Sequence, residues 1–279
     1  MLATLTAVAA LWGAATGLLL PRAAYRLAVP PDEPWRTTCP ADHPLTGPGW
    51  GWLGTARCAV CATQADAATS PATESPPATE APPASATTAD ARRRVPTARR
   101  YAPSALLPVV TALVCAALAA ATGARPELAV WLLLTPVAVL LAAVDHRVHR
   151  LPDRLTLPLA ALAAVLLGGA ALLPGHGGSW TSALLGGAVL GAFYLLLFLI
   201  NPNGMGFGDV KLAPALGAAL GWYGWAVLFA GGFAGFLLGA LYGCGLMALR
   251  RAGRGTGIPF GPFMIAGALA GMLLGAAGA

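Results

Sequence analysis

The stretch "GMGFGDVKLAPALGAALGW", residues 204–222, decides the fold. Three glycines at alternate positions, Gly204, Gly206 and Gly208, lead into Asp209 and Lys211, and a short apolar run follows. On either side lie longer runs without a single charge, 181–200 and 224–249. Glycine permits backbone shapes and close approaches that a Cβ resists. An ionisable group set among apolar segments is a functional suspect, because hydrocarbon makes its charge expensive.

The composition carries the same message. Hydrophobic residues make up 57% of the chain and charged residues 10%, against about 25% charged in ordinary soluble domains. Apolar runs of membrane-spanning length occur at 2–20, 104–122, 128–145, 154–173, 181–200, 224–249 and 262–278. The first lacks a preceding basic region and is read as a retained span, with Arg22 and Arg26 after it. With the short segment 210–222 counted as a crossing, the expected fold is an all-α polytopic membrane bundle of about eight segments.

The charges test that count. With the N-terminus outside and eight alternating segments, only Arg125 of the 17 Lys and Arg residues falls outside. This is the positive-inside pattern. It explains the formal charge of +6 by the lipid bilayer and leaves no call for a nucleic-acid partner. Omitting 210–222 would put Arg250, Arg251 and Arg254 outside, so the segment is expected to cross. A helix over 210–222 has about 13 residues and covers about 20 Å of a hydrocarbon core of about 30 Å. The deficit sets Asp209 and its glycine loop below the membrane surface, where irregular backbone must line protein or water.

Eleven carboxylates are present. Most lie in the linker or the small cytoplasmic region, and Glu127 falls in an outer loop. Asp145, Asp153 and Asp209 stand beside cytoplasmic helix ends. Asp153, after Pro152, fits an N-cap. Asp209 with water alone would serve as the proton site of a transporter. Paired with Asp145, it would make an aspartic protease dyad, whose like charges share one proton. Residue types and topology leave both readings open.

The chain divides into a first span (1–20), a small cytoplasmic Cys/His region (21–63), a basic-ended linker (64–103) and a membrane domain (104–279). The linker is rich in Ala, Thr, Pro and Ser, has almost no large apolar side chains, and reads as disordered. Gly231, Gly235, Gly239 and Gly243 recur every fourth residue, as do Gly267, Gly271 and Gly275. That spacing gives smooth helix faces for close packing in a bilayer.

"GMGFGDVKL" resembles the Gly-x-Gly-Asp signature of intramembrane aspartic proteases, in its type IV prepilin peptidase branch. "VDHRVHRLPDRLTLPL" (144–159) is similar to that family's first-aspartate segment, and "GIPFGPF" (257–263) to its third block. The resemblance covers residues 104–275. It implies Asp145 and Asp209 as the catalytic pair, supported by Gly206, Gly208, Lys211, Pro259 and Gly261. His146 and His149 flank Asp145, and Lys211 is near enough in sequence to tune Asp209. The implied activity is cleavage of basic leader peptides from type IV prepilins and pseudopilins, after a glycine, at the cytoplasmic face of the bacterial plasma membrane. Proteolysis of this kind needs no cofactor. Many members then methylate the new N-terminus with S-adenosylmethionine.

The family's cytoplasmic region often carries two Cys-x-x-Cys pairs. Here Cys58 and Cys61 form one, while Cys39 and His43 replace the other. Cys₃His is an accepted zinc set. In the first span, Gly17, Tyr25 and Arg26 follow the family pattern and Pro21 replaces its asparagine.

Overall fold

The computed structural model describes residues 1–30, 33–63, 105–202, 204–249 and 259–279. The linker over 64–103 and the arginines at 250, 251 and 254 lie outside that set. Among the described residues the architecture is all-α, and the one β-type pairing is a bridge between Thr38 and Pro44.

Eight long helices follow in order: α1 Leu2–Leu27, α2 Leu106–Thr122, α3 Glu127–Val148, α4 Asp153–Ala171, α5 Trp180–Ile200, α6 Phe207–Trp222, α7 Trp225–Ala248 and α8 Gly261–Gly278. Five of them (α1, α3, α5, α7 and α8) are long and apolar enough to cross a membrane. Two expected boundaries move. Helix α1 runs past Pro21 to Leu27, beyond the expected end at residue 20. Its last turn is held by the small region, where Arg26 donates to the Trp50 carbonyl at 2.9 Å and lies over the Trp52 ring. Helix α6 begins at Phe207, with Gly206 as its extended N-cap. Asp209 therefore sits in its first turn rather than in the loop before it. At 16 residues, α6 is about 24 Å long, still short of a full hydrocarbon core.

Helix α6 is the centre of the bundle, packed by α4, α5, α7 and α8. Its tightest neighbour is antiparallel α5. A Cβ on Gly186 would stand 2.6 Å from the Gly217 carbonyl oxygen, and one on Gly221 would stand 2.6 Å from the Ser182 carbonyl oxygen. These backbones touch, so only glycine fits. The fourfold glycine repeat does the same for α7 and α8, where Gly231 and Gly235 lie against Gly267 and Gly271. Without a hydrophobic drive between helices in lipid, such packing is what holds a bundle together.

The two ends of the bundle differ in chemistry. At one end Arg125 donates to the Ala276 and Ala279 carbonyls, and Trp131 donates to the Tyr223 hydroxyl. Glu127, expected in a loop, is fully buried at the start of α3 and accepts the Gly177 N–H at 3.1 Å. At the opposite end the chain brings together the C-terminus of α3 and the N-termini of α4, α6 and α8.

Candidate active site

Asp145 stands at the end of α3, which closes through His149 in the left-handed conformation (φ 51°), its N–H on the Asp145 carbonyl at 2.8 Å. The carboxylate is 4% exposed. Its partner comes from the far end of the chain, where the Gly261 N–H donates to Asp145 Oδ2 at 3.0 Å. Gly261 opens α8, and its N–H has no acceptor within that helix. The glycine is required by space as well, since a Cβ there would lie 2.7 Å from Asp145 Oδ2.

Asp209 is 6% exposed in the first turn of α6. Its N–H bonds the Gly206 carbonyl at 3.0 Å. The glycines before it have separate jobs. A Cβ on Gly208 would lie 2.8 Å from the Leu151 Cβ, whereas Gly206 leaves room beside Asp209 Oδ2. None of the three needs a positive φ.

Leu151 ties the two halves together. Buried at 3%, it packs against Gly208 on one side and reaches Gly261 with its Cδ1 on the other. The Asp145 carboxylate is close enough to act electrostatically on Asp209. His146 and His149 are exposed and act on Asp145 from outside. Pro259 precedes Gly261 and is partly buried.

Two expectations about this end fail. Asp153 makes no side-chain cap on α4, for which Pro152 holds the N-cap position. Instead its Oδ2 meets Lys211 Nζ at 2.6 Å. Lys211 accordingly pairs with Asp153 rather than turning to Asp209, and it also lies over the Phe207 ring. Helix α6 points residues two apart in different directions, so sequence proximity to Asp209 did not mean contact.

Two cavities flank the site. One, of about 520 Å³, is lined by Glu33, Trp35, Arg150, Pro152 and Asp153. The other, of about 400 Å³, is almost wholly apolar, runs between α2, α3 and α8, and has His146 and Pro262 in its wall.

Residues 132–244 match the type IV leader peptidase family. That segment is similar to type IV leader peptidases. Both aspartates lie within it, while Gly261 lies beyond its matched end. The chain is 42% identical over 143 residues to a prepilin leader peptidase/N-methyltransferase of Aeromonas salmonicida, covering 50% of this chain and 47% of that relative. A like-named protein of Aeromonas hydrophila is 38% identical, over 63% of this chain and 59% of its own length. One of Bacillus subtilis is 30% identical, over 60% and 64%. The matched part thus spans about half to two thirds of these relatives. No solved structure matches. The similarity around Asp209 is to leader peptidases, and nothing in it supports the transporter reading.

The small region gathers the other chemistry. Cys39, His43, Cys58 and Cys61 place their ligand atoms within 4.8 Å of one another. Cys39 Sγ is 3.7 Å from His43 Nδ1 and 3.8 Å from Cys61 Sγ. Four ligands at bond lengths of about 2.0–2.3 Å from a tetrahedral centre have edges of this size. The cluster can hold a metal ion. Cys115 is buried in α2 and Cys244 is exposed on α7, neither near it.

Proposed function

We propose that this protein is an intramembrane aspartic endopeptidase that removes the leader peptide of type IV prepilins or pseudopilins, with Asp145 and Asp209 as its catalytic pair. The observation that carries the reading is the convergence of three distant chain segments. Asp145 ends α3, Asp209 begins α6, and Gly261 at the start of α8 binds the Asp145 carboxylate.

The chemistry follows from two carboxylates sharing one proton. The ionised member takes a proton from water, and the water oxygen attacks the scissile carbonyl carbon. The protonated member hydrogen-bonds the carbonyl oxygen. The C–N bond then breaks and the leaving amine takes a proton from the dyad. A basic side chain of a leader would meet Glu33 in the cavity beside the site.

By the positive-inside pattern, the aspartates face the cytoplasm of a bacterial plasma membrane and the N-terminus lies outside. Cys39, His43, Cys58 and Cys61 would hold a structural zinc ion that folds a region too small to fold on its apolar core alone. The names of the relatives support a second step, methylation of the new N-terminus from S-adenosylmethionine. The test is co-expression with a prepilin and intact-mass analysis of the product. Loss of the leader mass supports the peptidase, and a further methyl increment supports the second step. An unprocessed prepilin refutes the reading.

A further inference from the structure

Tyr194 lies on α5, within the face that packs on α6: Ala183, Gly186, Gly187, Leu190 and Tyr194 are its buried residues. The antiparallel register of the two helices is fixed by their glycines. Ser182 lies against Gly221, Gly186 against Gly217, and Gly191 against Pro214. One more turn sets Tyr194 level with Asp209. Consistent with that, Asp209 is the charged group that acts on the phenol.

Two aromatic rings fix the side chain. Phe236 of α7 stacks on it, with centroids 5.5 Å apart and planes at 24°, and Phe260 packs at 6.2 Å. Phe260 immediately precedes Gly261, whose N–H holds Asp145. Tyr194 therefore touches the chain on the Asp145 side while facing Asp209. The residue is 1% exposed, and its hydroxyl, which makes no hydrogen bond among the described residues, is not one of the fully enclosed unpartnered atoms and so keeps the little access the residue has. A buried phenol usually finds a partner. A free donor held rigidly beside the dyad is suited to an oxygen that arrives with the substrate.

We propose that Tyr194 is a further catalytic residue of this site, its phenol O–H donating a hydrogen bond to the carbonyl oxygen of the scissile peptide. The assignment rests on the aspartic peptidase reading. As negative charge grows on that oxygen during attack, a preoriented donor in a dry site stabilises it more than it stabilises the ground state. The protonated aspartate supplies one donor and Tyr194 a second. The bonds made and broken are those of the hydrolysis itself.

The test uses the full-length protein and a prepilin-type peptide with a basic leader ending in glycine ahead of an apolar helix. Tyr194→Phe keeps the ring and its stacking and removes only the donor. It should lower kcat about 10–100-fold with KM nearly unchanged, somewhat less than loss of a sole oxyanion donor. Its thermal midpoint should match the wild type. Leu228→Ala is the packing control: it empties a buried site near the start of α7, away from Tyr194 and both aspartates, and should lower the thermal midpoint while largely retaining kcat. Wild-type kcat in Tyr194→Phe overturns the proposal, as does an equal kcat loss in both variants. Asp209→Asn is assayed alongside. If it is inactive and Tyr194→Phe is unimpaired, the tyrosine assignment alone falls; if it is fully active, the dyad and the tyrosine fall together.

Discussion

Gly261→Ala places a methyl group where the structure has the tightest packing around Asp145. The new Cβ would lie 2.7 Å from Oδ2 and 3.2 Å from Cγ of that carboxylate, with Leu151 Cδ1 at 3.5 Å behind it. Restoring an ordinary contact of about 3.4 Å moves Oδ2 by about 0.7 Å, which stretches the 3.0 Å hydrogen bond from the Gly261 N–H beyond its useful limit. Leu151 is itself buried against Gly208, so it cannot yield without disturbing α6. The strain should cost about 1–3 kcal/mol of stability, as overpacking does. The larger effect falls on rate, because displacing a reacting group by about 1 Å costs on the order of 100-fold. We expect processing of a co-purified prepilin to slow by about that factor while the protein still inserts and runs as a single species. Wild-type turnover in Gly261→Ala, with an unchanged thermal midpoint, would refute the claim that this glycine positions the carboxylate.

The Lys211–Asp153 pair joins α6 to α4 at a partly exposed site, so Lys211→Met and Asp153→Asn should show a coupling of about 0.2–1 kcal/mol in a double-mutant cycle, shrinking at high salt. Asp153→Asn should retain substantial activity, and complete inactivation would contradict a purely electrostatic tie. Cys58→Ser should lower the zinc content measured by elemental analysis and expose residues 33–63 to protease. Leader cleavage should survive, since both aspartates lie in the bundle. Wild-type protein free of zinc would remove the metal from the account.

The placement of Asp145 and Asp209 at helix ends was legible in the sequence because its signals are local: one aspartate follows glycines and the other closes an apolar run. The all-α bundle was legible from the lengths of the apolar runs, and the glycine repeats marked the α7–α8 contact. What the sequence hid depends on tertiary contact. Asp153 carries every mark of an N-cap, yet a lysine 58 positions away, across the bundle, takes its carboxylate. Glu127 reads as a loop acid, but the loop at Gly177 folds over it. The role of Gly208 is space for Leu151, not an unusual φ, and only the packed structure distinguishes these. Tyr194 sits in an uninterrupted apolar run with no signal beyond its hydroxyl. Its importance appears once the α5–α6 register is known.

The central claim is that Asp145 and Asp209 act as one unit. Its most direct measurement is the intact mass of a prepilin co-expressed with Asp145→Asn, with Asp209→Asn and with the double variant, each checked for insertion. Groups that act as a unit are non-additive, so each single variant should leave the leader uncut and the double should be no worse. Cleavage at the wild-type rate by either single variant would contradict the dyad.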